Sequence, residues 1–348
     1  MTNTRDAVGE WPAEGLEPVD ACPVCGSTRR RVMYSGLRDR AFRAAPGSWT
    51  LTRCEECRSA YLDPRPTPKT IELAYRCYYT HGSAAPAPRV GGFREALAGD
   101  YRRARWGYTN GRAIPGGRLI ARLAPSRAAL VDRSLRHLPA TPGGRLLDVG
   151  CGSGAFLGEM EALGWQGDGI DPDPEAVARA RAAGLNVSPG TIGDLDSAER
   201  HRRYDAVTLS HVIEHLHDPA GDLRILHEVV RPGGLIWVAT PNLESLGLRR
   251  FGRDWINLDP PRHLVLFNRG SLERILRAAG FEPQELPPPS PQALQMFCQS
   301  AAIREGRLPD DGPSDGPGRL RPLATIANRL ALHDPRHAEE LVLIARRP

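Results

Sequence analysis

Four groups of residues have types and spacings that could carry chemistry. The stretch RLLDVGCGSGAFLGEMEALGWQGDGID, residues 145–171, places Gly150, Gly152 and Gly154 in one loop, with Asp148 before it and Asp171 after it. Glycines let a ligand approach the backbone and expose N–H groups at a helix N-terminus. An acid at the end of the following strand can accept hydrogen bonds from a ribose diol. The second group is HVIEH, His211 to His215. On a helical turn residues 211, 214 and 215 would share a face, with His215 as a general base near its reference pKa of about 6.5 and Glu214 holding its tautomer. The third is DPPRHLVLF, where His263 is an alternative base and Arg262 could meet a phosphate or carboxylate. Asp254, Trp255 and Asp259 precede it and are expected to line the same pocket. The fourth is a pair of C-x-x-C knuckles, Cys22 with Cys25 and Cys54 with Cys57. Two such turns complete a tetrahedral tetrathiolate site with no open position, so the expected metal is a structural zinc in an N-terminal zinc ribbon. A redox pair is the alternative for one C-x-x-C.

The elements that must hold these groups alternate strand and helix. Arg145–Val149 is a short apolar run suited to a buried parallel strand. Ala155–Leu163 has helical spacing, and Trp165–Ile170 returns as a second strand. Further strands are expected at Asn186–Ser188, Tyr204–Leu209, Leu235–Ala239, Phe281–Leu286 and Ala338–Arg347, with helices at Leu223–Val230 and Ser271–Ala279 and a turn at Arg231–Gly234. Gly280 closes the second of those helices. The organisation that follows is an arm and ribbon over 1–66, a helical cover over 67–140 and a core over 141–348. Residues 287–337 form an insertion of loop composition with two helical patches, Ala293–Arg304 and Leu323–Leu332. Tyr78 and Tyr79, after the ribbon, either pack it against the core or face a substrate.

The chain has 348 residues, an apolar content of 41% and a net charge of +5, enough for a sizeable core and too mild to point to a polyanion. Lys69 is the only lysine, so the positive charge is nearly all arginine and arginine clusters carry little weight. No apolar run has the length of a membrane helix and the first residues lack a signal-peptide core, so a cytoplasmic chain with reduced thiols is expected.

Gly150, Gly152 and Ala155 satisfy the loose dinucleotide pattern, which keeps NAD open on this loop alone. The fuller run D-V-G-C-G-S-G resembles motif I of class I S-adenosylmethionine (SAM) methyltransferases. That resemblance implies an α/β, Rossmann-like seven-stranded core whose last strand inserts antiparallel. It implies SAM as cofactor, with the loop against its methionine part, Asp148 nearby and Asp171 on the ribose. Pro172, Asp194 and Leu195 then fall at the adenine, and His211 borders the cofactor. In this context the H-x-x-E-H pattern, shared with some metallopeptidases, sits where a methyltransferase cleft opens. Ubiquinone-type O-methyltransferases carry E-H here, and some bind a divalent metal in this region. Sugar C-methyltransferases with an N-terminal zinc-binding domain carry it as catalytic residues, together with a further C-terminal domain not evident in this sequence. The expected activity is therefore methyl transfer to a small-molecule or sugar oxygen in bacterial secondary metabolism or glycan synthesis, with Glu214, His215 and His263 as catalytic residues. Tyr78, Tyr79 and Arg262 are the expected acceptor contacts. The alternatives are an RNA methyltransferase whose ribbon grips nucleic acid through Thr28–Arg31, and a SAM-binding scaffold without turnover.

Overall fold

The computed structural model describes residues 9–75, 92–195, 204–284 and 289–348. Tyr78 and Tyr79 lie outside the described residues. Among those described, the core is a seven-stranded sheet in the order β12-β13-β10-β9-β6-β7-β8. Its strands are β6 (Arg145–Val149), β7 (Gln166–Asp171), β8 (Asn186–Pro189), β9 (Tyr204–Ser210), β10 (Val230–Pro241), β12 (Glu282–Pro283) and β13 (Glu340–Arg346). Strands β10, β9, β6, β7 and β8 run parallel, and β13 is antiparallel between β10 and β12. Strand β6 is buried from Leu146 to Val149, as a strand covered on both faces must be. The order reverses direction between β6 and β9, which opens a crevice at their carboxyl ends. The glycine loop and HVIEH leave the sheet at that point.

The helices packed on this sheet in chain order are α4 (Ala155–Ala162), α5 (Pro174–Ala182), α6 (Pro219–Val229) and α8 (Arg269–Ala278), while α7 (Leu246–Phe251) lies between α6 and α8 in the chain. Ahead of them α1 (Phe93–Trp106), α2 (Gly117–Leu123) and α3 (Pro125–Ser134) form the cover. Tyr108 and Leu138 from this region join Leu146, Leu157 and Met160 in one buried cluster. Within α1, Tyr101 and Trp106 both donate to Asp132 of α3, so this arginine-rich helix is fastened to its neighbour. The insertion forms α9 (Ala293–Arg304) and α10 (Arg321–His333), and Phe297 packs on Phe251. Arg231–Gly234 is an irregularity inside β10 rather than a turn before it. The strand starts at Val230, and its register on β9 shifts between Val230 and Leu235.

The ribbon consists of β1 (Leu16–Glu17), β2 (Arg30–Leu37), β3 (Trp49–Cys54), β4 (Ala60–Leu62) and β5 (Arg65–Pro66). Its sheet has the order β11-β4-β3-β2, and β11 (Val265–Leu266) comes from the core. One buried cluster runs from Trp49, Leu51 and Leu62 through Val265 and Phe267 to Val238 and Leu341. The ribbon, expected as a separate segment over 1–66, is thus built into the core. Among the described residues no helix is long and apolar enough to cross a membrane.

Candidate active site

The first half of the site is local. Gly150, Gly152 and Gly154 all have positive φ (66°, 56° and 79°), a region that non-glycine residues enter at a cost. A Cβ on Gly150 would stand 2.5 Å from Val212 Cγ2, and one on Gly154 2.3 Å from Leu185 Cδ1. Gly150 and Gly154 are therefore closed to side chains by conformation and by space, and Gly152 is disfavoured for them by conformation. Asp171 fastens it: Oδ2 accepts from Gly152 N at 2.7 Å and Oδ1 from Asp173 N at 2.9 Å. A carboxylate oxygen can accept more than one hydrogen bond, which leaves capacity for a diol. Asp148 is fully buried. Its Oδ1 accepts from Thr208 Oγ1 at 2.9 Å and from Arg136, while Oδ2 has no hydrogen-bond partner among the described residues. Burial pushes the Asp148 carboxyl up, opposed by Arg136. Arg136 adopts a left-handed conformation, and its guanidinium lies 3.6 Å from the Phe156 ring centre. Pro172 is exposed beside Asp171. Asp194 turns back on its own turn, where Thr191 N and Oγ1 both donate to it at 2.8 Å. Leu195 is buried in the core.

The second half is assembled from distant segments. HVIEH makes a single 3-10 turn at Ile213–His215, entered through His211 with φ 56°. His211 Nδ1 lies 3.1 Å from Glu214 Oε1, and Nε2 lies 2.8 Å from Glu340 Oε1. Glu340 also accepts both Nε and Nη2 of Arg133, at 3.0 and 2.8 Å. Burial lowers the His211 pKa, but the two carboxylates outweigh it and bring it up to about 10. His211 is therefore an imidazolium at neutral pH, and its ring is unsuited to take a proton. Glu214 is completely buried, and its Oε2 accepts from Thr240 Oγ1 at 3.0 Å. Burial raises the Glu214 pKa, and His211 more than reverses this, down to about 2. The expected Glu214–His215 pairing is thus corrected: Glu214 orients His211. A short 3-10 turn does not stack residues 211, 214 and 215 as an α-helix would.

His215 is oriented from elsewhere. Its Nδ1 lies 2.9 Å from the Arg262 carbonyl oxygen and 2.9 Å from the Tyr75 hydroxyl. A carbonyl only accepts, so the tautomer that satisfies it carries the proton on Nδ1 and a lone pair on Nε2. His263 repeats the arrangement, with Nδ1 donating to Asn257 O at 2.8 Å. The two imidazoles meet edge to face, 4.8 Å between centres. Leu264 N donates to Glu214 O at 2.8 Å, which stitches the two histidine segments together. Burial, followed by the neighbouring His263, lowers the His215 pKa to about 4, so it is neutral at physiological pH. One ligand-type atom from each of Glu214, His215 and His263 lies within 4.8 Å of the others, and these groups could hold a metal ion.

Arg262 is not where an acceptor anion could reach it. Its side chain is 0% exposed and all five of its N–H groups are engaged. Asp39, Asp259 and the Ala74 carbonyl take them, because a buried guanidinium must be paired. The expectation that Arg262 contacts substrate is therefore corrected to a structural position. Trp255 and Asp254 are likewise occupied, Trp255 Nε1 by Glu339 at 3.1 Å and Asp254 by Arg40 and Arg304.

Residues 118–286 match the profile of the methyltransferase domain family. The ubiquinone biosynthesis O-methyltransferase of Xanthomonas campestris pv. campestris (strain B100) is 38% identical over 109 residues, 30% of this chain and 45% of that protein. The protein of the same name from Methylobacterium sp. (strain 4-46) is 34% identical over 155 residues, 40% of this chain and 61% of that one. That of Cereibacter sphaeroides (strain ATCC 17025 / ATH 2.4.3) is 31% identical over 166 residues, 45% of this chain and 67% of that protein. The chain belongs to the class I SAM-dependent methyltransferases. It spans about half the length of several of the curated relatives it matches. A SAM-dependent methyltransferase structure from Mesorhizobium loti aligns at 20% identity and TM-score 0.43, covering 63% of this chain and 98% of that one.

Within this methyltransferase, Gly150, Gly152, Gly154, Asp148 and Asp171 gather at the carboxyl ends of β6 and β7, and Glu214, His215 and His263 gather beyond β9. Sequence reasoning missed Tyr75, Thr240, Arg133, Arg136 and Glu340. Only Glu340 had a local signal, an acid at the head of an apolar strand. Outside the cleft, Cys22, Cys25, Cys54 and Cys57 bring their sulfurs within 4.8 Å of one another, with Cys22–Cys57 at 3.6 Å and Cys25–Cys54 at 3.5 Å. Zn–S bonds of about 2.3 Å in a tetrahedron separate sulfurs by about 3.8 Å, so the cluster allows such a metal.

Proposed function

We propose that this methyltransferase moves the methyl group of SAM to an oxygen of a small-molecule acceptor, a phenol or a sugar hydroxyl, with His263 or His215 as the base. The observation that carries the reading is the histidine pair. Each ring has its Nδ1 proton committed to a backbone carbonyl, leaving Nε2 able to accept. The O-methyltransferase names of the relatives support oxygen as the acceptor atom. The glycine loop and Asp171 would hold SAM by backbone N–H groups and a ribose contact, and His211 would border it. When bound, SAM supplies an already activated sulfonium methyl, so the chain mainly has to align an acceptor and remove its proton. Nε2 of one histidine takes the hydroxyl proton as the oxygen becomes nucleophilic. The Nδ1–H bond holds the ring in place, and Tyr75 keeps His215 from rotating. The tetrathiolate cluster is read as a structural zinc site, because four thiolates leave no position for water or substrate.

Calorimetric titration with SAM, S-adenosylhomocysteine and NAD tests the cofactor, and a screen of phenols and sugars with radiolabelled SAM tests the acceptor. Binding of the first two ligands and label transfer to an oxygen are expected. Binding of NAD alone would overturn the reading.

A further inference from the structure

The segment carrying His263 is held by the ribbon as well as by the core from which it departs. Leu62 N donates to Leu264 O at 3.0 Å, and Val265 and Leu266 pair antiparallel with Tyr61 and Ala60. Asn268 Nδ2 donates to the carbonyl of Cys57, a knuckle residue, at 2.9 Å. Immediately before His263, the Arg262 guanidinium makes a forked contact with Asp39 of the ribbon, Nη2 to Oδ1 at 2.7 Å and Nη1 to Oδ2 at 3.0 Å. Asp39 is itself fixed by Phe42 N, Ala44 N and Ala45 N. The other side of the guanidinium grips Asp259, and Nη1 also reaches the Ala74 carbonyl, one residue before Tyr75. Arg262 therefore touches both supports of His215 and adjoins His263 in the chain. Its own carbonyl orients His215, its side chain fixes the backbone beside Tyr75, and it is the chain neighbour of His263.

We infer that Asp39 and Arg262 are positioning residues for the histidine pair, so that the ribbon builds one wall of the catalytic site. This rests on the reading of that pair as the catalytic base. A planar guanidinium between two carboxylates sets position and angle together, which an ammonium cannot do. Two acids facing one cation exceed what neutralisation requires, and the second acid is the one that comes from the ribbon. Replacing Asp39 still leaves Arg262 paired with Asp259, so no buried charge is stranded, the condition under which breaking such a pair is most damaging.

The test uses full-length, metal-replete protein with imidazole-labelled histidines, the His263 Cε1–Hε1 signal being assigned through His263→Gln. Asp39→Asn and Arg262→Lys are compared with the parent chain. Both are expected to bind SAM and keep their thiolate metal, to shift or broaden the His263 signal, and to lower kcat by about 100-fold, the scale of a misplacement near 1 Å. Should Asp39→Asn fail to fold, Arg262→Lys, which keeps the charge and loses the fork, carries the test. Folded variants with an unmoved His263 signal overturn the inference, whether or not kcat falls. A moved signal with unchanged kcat leaves the positioning intact and removes the base assignment instead. Chelating the thiolate metal gives a further readout: SAM still binds, and the His263 signal moves as in Asp39→Asn.

Discussion

The two halves of this site are built in opposite ways. On the cofactor side Asp171 reaches Gly152 across 19 residues of chain, within one strand–loop–helix–strand unit. On the histidine side Tyr75 reaches His215 across 140 residues, His211 reaches Glu340 across 129, and Arg262 reaches Asp39 across 223. The first half is fastened mainly within its own unit, with Arg136, Thr208, Leu185 and Val212 packed against it. The second exists only when ribbon, cover, core and last strand have all come together.

This contrast can be broken in several ways. The largest effect is expected at the histidines. His263→Ala or His215→Ala should lower kcat by about 10²–10⁴-fold, the usual worth of a general base, while calorimetry shows SAM affinity unchanged. Equal losses in both would mean that the halves are not separate. Asp171→Ala should do the reverse, weakening SAM by about 100-fold through lost charge-assisted hydrogen bonds. The His263 imidazole signal should stay where it is. Gly154→Ala probes the local unit alone. With φ at 79° and Leu185 2.3 Å from the new methyl, denaturant unfolding should show a loss of about 1–3 kcal/mol.

The smallest effect concerns pH. His215 has its folded pKa lowered to about 4 against an ordinary value near 6.5. Its stabilising contribution is complete above pH 6.5 and is lost as pH falls through 4. His211 has the opposite sign, with its folded pKa raised to about 10, so its contribution is complete below 6.5 and is lost as pH rises through 10. His215→Gln should flatten the acid limb of the melting profile between pH 6.5 and 4 and leave the alkaline limb alone. A change on the alkaline side instead would show that the carboxylates serve His215 rather than His211.

The sheet was legible where a strand is an apolar run with most of its residues buried, as in β6 and β9, and β6, β8 and β9 lie within a residue or two of where the pattern puts them. The short edge strand β12 was less so, since an edge buries too little to announce itself. At the site, residue type singled out His215 and His263 but misassigned the partner of His215. An acid next to a histidine in sequence suggests a dyad, yet the φ of His211 and a 3-10 turn send Glu214 to the other ring.

What the sequence alone determined is whatever depends on short-range geometry: a loop of three alternating glycines, an acid at the following strand end, thiolates paired on tight turns. Tertiary structure decided which charges meet. Arg262 reads as an exposed ligand for an anion and becomes a buried strut, because only the folded chain brings Asp39 and Asp259 to either side of it. His211 and His215 are the same residue type four positions apart, one held protonated and the other neutral. The difference lies in the carboxylates and carbonyls that other segments deliver to each ring, which no local spacing encodes.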